Sequence, residues 1–353
     1  MRGLIDTAFW QNKRVLLTGH TGFKGAWMLL LLERLGADVM GIALAPETSP
    51  NLFDILRPGV KAKSVIADIR NPSAFSDVAA WRPQIVIHMA AQPLVRRSYA
   101  EPVETFGTNV MGTVNLLDMV RQLEGIEAVL VITTDKVYRN DDAGRAFVED
   151  DPLGGHDPYS ASKAAAEMAV FTYAHSYFAA RNVPVATARA GNVIGGGDWS
   201  ADRIIPDIWR SHRDEEAVVL RMPKAVRPWQ HVIEPIAGYL VYCQALVRGD
   251  DDLPRALNFG PPASDNLTVA EVTERMLGGL NSKRSWVLAE GPAPREMKLL
   301  SLNPAAAVRA LGWKTRMTAG EAIDLTSRWY RQFDDGADMI QVTKQQIDEY
   351  LTA

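Results

Sequence analysis

"RVLLTGHTGFKGAW", residues 14–27, passes from a short apolar run through three evenly spaced glycines into a second, longer apolar run. Glycine permits positive φ in a turn and lets backbone approach a pyrophosphate. A helix starting there aims its unpaired N–H groups and its dipole at the negative charge. Gly19, Gly22 and Gly25 sit between a predicted strand and a predicted helix, so the loop is expected to hold a dinucleotide.

Working outward, "DVMGIAL" (38–44), "KSVIA" (63–67), "QIVIHM" (84–89), "AVLVIT" (128–133) and "PVATARA" (184–190) repeat the short apolar run. Runs without polar alternation fit strands covered on both faces. Helix candidates lie between them at 23–36, 72–80, 103–123 and 158–181. The alternation predicts an α/β chain with a Rossmann-type, doubly wound parallel sheet, whose ligands sit at the carboxyl ends of its strands. After residue 190 the pattern loosens into the glycine-rich "GNVIGGGDW" (191–199), scattered prolines and helices near 234–248, 268–280 and 318–334. The expected division is a dinucleotide-binding domain at 1–190, with 230–258 packing back on it. The rest of 191–353 forms a smaller mixed α/β substrate lobe.

The 353 residues are 47% hydrophobic and 23% charged, with a net charge of −4 and no block of like charges. Nucleic acid is therefore not an expected partner. Cys243 is the sole cysteine, which excludes a disulfide framework and a cysteine-based metal site and fits a reducing cytosol. "AWMLLLL" (26–32) ends at Glu33, far short of the roughly 20 residues a membrane span needs. No signal-peptide order opens the chain. Neither a membrane nor a metal is expected.

An acidic residue about 20 positions after the glycine loop would hold the ribose hydroxyls. Ala45 and Pro46 stand there, with Glu47 just beyond and no arginine for a 2′-phosphate, so NAD is expected over NADP. Asp68 reads either as an adenine contact or as a strand-end cap. His20, within the loop, reads as a bystander. "HDPYSASKAAAE" places Tyr159 and Lys163 four apart on one helix face, after Asp157 as cap and Pro158 at the first position. A cation beside a tyrosine eases phenolate formation, which makes tyrosine a base able to take a sugar hydroxyl proton while hydride leaves.

With these residues in order, the chain resembles the extended branch of the short-chain dehydrogenase/reductase superfamily, the NAD-dependent epimerases and dehydratases. The stretches that carry it are the glycine loop, "HMAAQ" (88–92), "TNVMGTVNLL" (108–117), Tyr159-x-x-x-Lys163 and "RAGNVIGGGDW" (189–199). Within that branch "AAQPLVRRSY", "TTDKVY", "DPYSASK" and "RPWQHVIEP" are similar to those of CDP-glucose 4,6-dehydratases. Such enzymes oxidise C4 of the hexose, use the ketone to acidify the C5 proton, expel the C6 hydroxyl as water and return the hydride to C6.

The resemblance implies Tyr159 and Lys163 for the C4 oxidation, with Thr134 bonding the C4 oxygen, Asp135 as the acid for the C6 hydroxyl and Lys136 as the base at C5. It implies NAD contacts at Gly19, Thr21, Gly22, Phe23, Lys24, Gly25, Asp68, Ile69, Ala90, Ala91, Gln92, Asn109, Thr133, Tyr159 and Lys163. The nucleotide sugar, CDP-glucose on this likeness, is expected at Gln92, Ser98, Asn192, Arg203, Arg221, Arg227 and His231. Toward the end Arg295 stands where relatives place a histidine, leaving Glu296 as the expected contact. Likeness also implies a homodimer, or a dimer of dimers, through the helices at 105–123 and 158–181. Two rivals stay open. A 4-epimerase, or a dehydratase for a dTDP-, GDP- or UDP-hexose, shares the loop and the tyrosine–lysine pair; a silent NAD-binding regulator predicts damage to that pair, which is intact.

Overall fold

The six apolar runs become β1 (Arg14–Thr18), β2 (Asp38–Ala43), β3 (Lys63–Ile66), β4 (Ile85–His88), β5 (Ala128–Ile132) and β6 (Val185–Ala190), paired in parallel. The computed structural model describes residues 5–140, 144–250, 252–290 and 300–352. A seventh strand, β7 (Ala256–Phe259), joins β6 in parallel and gives the order β7-β6-β5-β4-β1-β2-β3. Residues of β4, β5 and β6 are buried throughout, which explains their uninterrupted apolar sequences. The order reverses between β1 and β4, so a crevice opens beyond Thr18 and its register partner His88.

Helices α1 (Phe23–Arg34), α2 (Gly112–Val120) and α3 (Pro158–Tyr173) cover the sheet. They are followed by α4 (Ile204–Arg213), α5 (Ile233–Arg248), α6 (Val269–Gly279), α7 (Ala319–Asp334) and α8 (Met339–Thr352). From Ile233 to Leu246 every residue of α5 is buried, and the helix packs against α1 and β5. A helix apolar on all sides must be enclosed on all sides. Asp157 caps α3 by accepting the Ser160 amide at 2.9 Å. Capping boxes at Thr268/Glu271 and Thr318/Glu321 start α6 and α7.

Three predicted helices are interrupted. The 72–80 segment forms a 3₁₀ turn, Pro72–Phe75, and a short helix, Val78–Trp81, ended by Arg82 at φ 57°. The 103–123 helix contains a π turn at Gly107–Met111, and the 158–181 helix ends in a π turn, Ala174–Phe178, followed by a 3₁₀ turn. The first π turn carries Asn109, whose amide is drawn in to clamp the Gln92 backbone. Single π turns inside helices are frequent at functional sites. In the second half Trp199, Trp209, Trp329, Tyr330 and Phe333 form an aromatic cluster that binds α4 to α7.

Candidate active site

The glycine loop is shaped by contact on two sides and left open on the third. Gly19 has φ +79°, and a Cβ there would lie 2.6 Å from the Ala90 backbone nitrogen. A Cβ on Gly25 would lie 2.0 Å from the Gly19 carbonyl oxygen. Gly22, by contrast, is exposed and would meet nothing closer than 3.5 Å. The loops after β1 and β4 are thus pressed together at the point where strand order reverses, and the N-terminus of α1, capped by no side chain, faces the crevice. This cradle fits the pyrophosphate of a dinucleotide.

Several residues expected at the cofactor are built into the scaffold. Thr21 donates its hydroxyl to the Leu44 carbonyl at 2.8 Å. Ile69 is buried against Gly112, and its carbonyl accepts from Asn115. The amide of Asn109 donates to Gln92 O and Ser162 Oγ while its oxygen accepts the Gln92 N–H, so Asn109 braces the loop from below. Thr133 donates inward to Glu167. Asp68 is held by Arg70 through the guanidinium and backbone N–H, which depresses its carboxyl below the usual range. Ala90 takes its backbone N–H to Thr18 Oγ1 at 3.2 Å, and Ala91 follows half-buried. His20 is enclosed beneath Gly41 and bonded to Ser64 at 2.7 Å; burial drives its pKa down to about 4. It is a neutral packing group.

The reactive cluster forms where β5 ends beside α3. Thr134 starts the 3₁₀ turn Asp135–Val137, and its hydroxyl donates to Asp135 Oδ1 at 2.9 Å. Asp135 is buried, and Lys136 follows half-buried in the same turn. The sequence predicts a cation easing the ionisation of Tyr159, yet burial dominates and pushes this phenol up to about 12, with Thr134 and Arg203 opposing. Lys163 Nζ donates to the Ile132 carbonyl at 2.8 Å; burial lowers it to about 8 against the pull of Glu167. Lys24 is also lowered to about 8, by burial and by Arg203 and Lys163, while Asp135 pulls it the other way. Five expected residues, Lys24, Asp135, Tyr159, Lys163 and Arg203, therefore share one cleft.

The expected substrate set is only partly gathered. Arg203 stands at the start of α4, 3.6 Å from Asp198 and within electrostatic reach of Tyr159 and Lys24. Arg221 is half-buried, with one buried guanidinium nitrogen that has no hydrogen-bond partner among the described residues. Asn192 and Arg227 are half-buried, the latter donating to Val226 O on a two-residue strand. His231 departs from expectation. It is fully enclosed, edge-on to Trp27 at 5.4 Å, and burial holds its pKa near 3, so it brings no charge to a diphosphate. Gln92 and Ser98 also depart. Gln92 bonds Leu94 twice and Thr105, and Ser98, 0% exposed, donates to Val95 O, so their polar atoms serve the loop itself. Glu296 lies outside the described residues.

Two groups escaped the sequence reading. Glu167 stands four residues beyond Lys163, a spacing visible in "HDPYSASKAAAE". Tyr239, on α5, is fully buried and its hydroxyl has no partner among the described residues; Lys24 Nζ lies 5.8 Å from its ring centroid and Asp135 and Tyr159 are electrostatic neighbours. Tyr239 shares its helix with a second tyrosine, Tyr242, whose hydroxyl is taken by the Pro254 carbonyl, so the sequence held no sign that set Tyr239 apart. Among the described residues no helix is long and apolar enough to cross a membrane.

A model of the "NAD dependent epimerase/dehydratase family" matches residues 15–260. The chain is 44% identical over 356 residues to CDP-glucose 4,6-dehydratase of Salmonella typhimurium, covering 99% of both chains. It is 29% identical over 329 residues to dTDP-glucose 4,6-dehydratase of Streptomyces antibioticus, covering 90% of this chain and 92% of that one. Its fold matches UDP-glucose 4-epimerase of Thermotoga maritima with a TM-score of 0.77 at 20% identity, covering 91% and 99%. It also matches dTDP-glucose 4,6-dehydratase of Bacillus anthracis in complex with NAD, at 0.73 and 22%, covering 93% and 99%.

Proposed function

The chain belongs to the NAD dependent epimerase/dehydratase family, and from that premise we propose that it converts CDP-D-glucose to CDP-4-keto-6-deoxy-D-glucose and water. The observation that carries this reading is 44% identity to a CDP-glucose 4,6-dehydratase along 99% of both chains. NAD, when bound, supplies the acceptor for the C4 hydrogen and the donor of the same hydrogen to C6. Tyr159 takes the C4 hydroxyl proton and Thr134 bonds the C4 oxygen. The phenol of Tyr159 stands high at about 12, so its ionisation depends on the cations around it, Arg203 among them.

The turn after Thr134 separates dehydration from epimerisation. Asp135 protonates the departing C6 hydroxyl and Lys136 removes the C5 proton, two tasks that an epimerase lacks. Arg203, Arg221, Arg227 and Asn192 supply counter-charge and hydrogen bonds for the nucleotide diphosphate. On this reading residues 1–190 with 230–258 hold the dinucleotide, and the rest of 191–353 closes on the sugar. Cys243, the sole thiol, is buried and unpaired, which supports a cytoplasmic setting. An exposed apolar face on Pro102–Phe106, the π turn after it and α3 supports pairing of two copies.

The deciding experiment is incubation with CDP-, dTDP-, GDP- and UDP-hexoses, with and without added NAD, read by mass spectrometry. Loss of one water from CDP-glucose is expected, with deuterium from C4 recovered in the C6 methyl group. An isomerised sugar of unchanged mass would establish an epimerase instead.

A further inference from the structure

Glu167 is an acid deep in the protein, 5% exposed, on the helix face that carries Lys163 and Tyr159 at one and two turns' distance. It is not idle. Arg189 of β6 grips it as a fork, Nε to Oε1 at 2.9 Å and Nη2 to Oε2 at 2.7 Å. Thr187, also of β6, donates to Oε2 at 2.8 Å, and Thr133, the residue before Thr134, donates to Oε1. All four lone-pair directions of the carboxylate are used.

From Arg189 the network continues. Its Nη1 donates to Tyr138 Oη at 2.8 Å and to the Glu149 carbonyl at 3.0 Å; the Tyr138 hydroxyl then donates to Asn258 Oδ1 of β7 at 2.7 Å. Tyr138 closes the turn that begins at Asp135. One ion pair thus joins α3, the end of β5, β6, β7 and the segment bearing the proton-handling turn. Burying a charged pair costs desolvation, and an apolar pair of equal volume is often no less stable, so stability alone is a weak reason for it.

We propose that Glu167 is a positioning residue of the reaction, which keeps Lys163 a cation and, held by Arg189, fixes the Thr133–Thr134 corner against Tyr159. This rests on the assignment of Tyr159 and Lys163 to the oxidation step. Burial works against the ammonium of Lys163; the Ile132 carbonyl of β5 accepts from it, and the titratable neighbours that face it from other elements among the described residues carry no negative charge: His88 of β4, neutral between Thr18 and Thr113, and Lys24 of α1, itself a cation. From its own helix only Glu167 favours the charge. Around Tyr159 stand Asp135, Asp157, Arg203 and the Tyr239 phenol. Asp135 and Asp157 oppose its ionisation, so the phenolate leans on the cations.

The sign follows directly. As pH rises through the Lys163 pKa near 8, the ammonium is lost, Tyr159 loses a supporting cation and the rate falls on the alkaline side. Removing the Glu167 charge moves that fall to lower pH. The test is the pH dependence of kcat for CDP-glucose turnover with NAD, in the parent enzyme, Glu167→Gln and the double variant Glu167→Gln/Arg189→Gln, with melting temperature recorded for each. We expect the alkaline limb to shift down by about one pH unit in both variants, a roughly tenfold lower rate beyond the limb. A limb unmoved in folded variants, or restored to the parent position in the double variant, overturns the proposal. The first leaves the pair merely structural, and the second traces the shift to an unneutralised arginine. If the parent enzyme itself forms no dehydrated sugar, it is the functional reading that fails, which the same assay separates from a failure of this one.

Discussion

On the proposed function, Asp135 is where the reaction is chosen. Its carboxyl is buried at 2% exposure and already receives the Thr134 hydroxyl, so the group that would hold the C4 oxygen and the group that would protonate the C6 hydroxyl touch each other. Asp135→Asn keeps the shape and removes the transferable proton. We expect C4 oxidation to persist, seen as cofactor reduction on adding CDP-glucose, while release of 4-keto-6-deoxy product slows at least ~100-fold. Product at the parent rate would take Asp135 out of the acid role. A second prediction concerns His20, His88 and His231, buried neutral with pKa values down near 4, 3 and 3 from a usual 6.5. Each folded value is depressed, so the stability these rings hold is present above pH 6.5 and is lost as pH falls toward the folded values. At pH 5 the cost is about 1–2 kcal/mol for each ring. Melting temperature should therefore drop markedly between pH 7 and 5; a flat curve over that range would show that the rings protonate freely.

At the scale of elements, what could be read early was what burial on both faces imposes. The strands announce themselves as apolar runs because β4, β5 and β6 have no solvent side, and the loop after β1 does so because Gly25 has no room for a methyl group. Gly25→Ala would force a Cβ to within 2.0 Å of the Gly19 carbonyl oxygen, so α1 must back away from the loop. We expect a loss of about 1–3 kcal/mol and weaker NAD binding. Gly278→Ala in α6, where a Cβ meets nothing within 4 Å, should instead be neutral or stabilising, and equal melting temperatures for the two variants would contradict the steric account. Other elements were illegible for physical reasons. β7 is four residues long and gains its identity only by pairing with β6. α4, Ala305–Leu311 and α8 were missed, and the π turn at Gly107–Met111 depends on Asn109 reaching Gln92, a partner 17 residues away. The same holds for the site. The shared helix face of Tyr159 and Lys163 was legible from their spacing, whereas the bond of Gln92 to Thr105 and the enclosure of His231 against Trp27 depend on partners that no local pattern reveals.

Across the whole molecule helix α3 has two faces with different fates. Tyr159, Lys163, Glu167 and Val170 of α3 are buried toward the sheet and the cleft, while Met168 and Phe171 stand 65% and 66% exposed on its outer side. Beside them, on Pro102–Phe106 and the π turn that follows, Val103 is 85% and Met111 52% exposed. These segments pack against α3, so the four exposed apolar side chains lie on adjoining elements, and an apolar face there is of a kind that marks an interaction surface. A second copy meeting this face would bury it and would press on the helix that carries Tyr159 and Lys163. Phe171→Glu tests the idea, because it sets a charge in the centre of the face and touches none of the cleft residues. We expect the parent to sediment as a dimer at micromolar concentration and the variant to shift toward the monomer mass. The melting temperature should fall with it, and so should kcat, since α3 loses its outer support while Tyr159 and Lys163 stay intact. A parent of monomer mass under those conditions would remove the pairing. A variant that dissociates at full activity would show that each copy orders its own catalytic helix unaided.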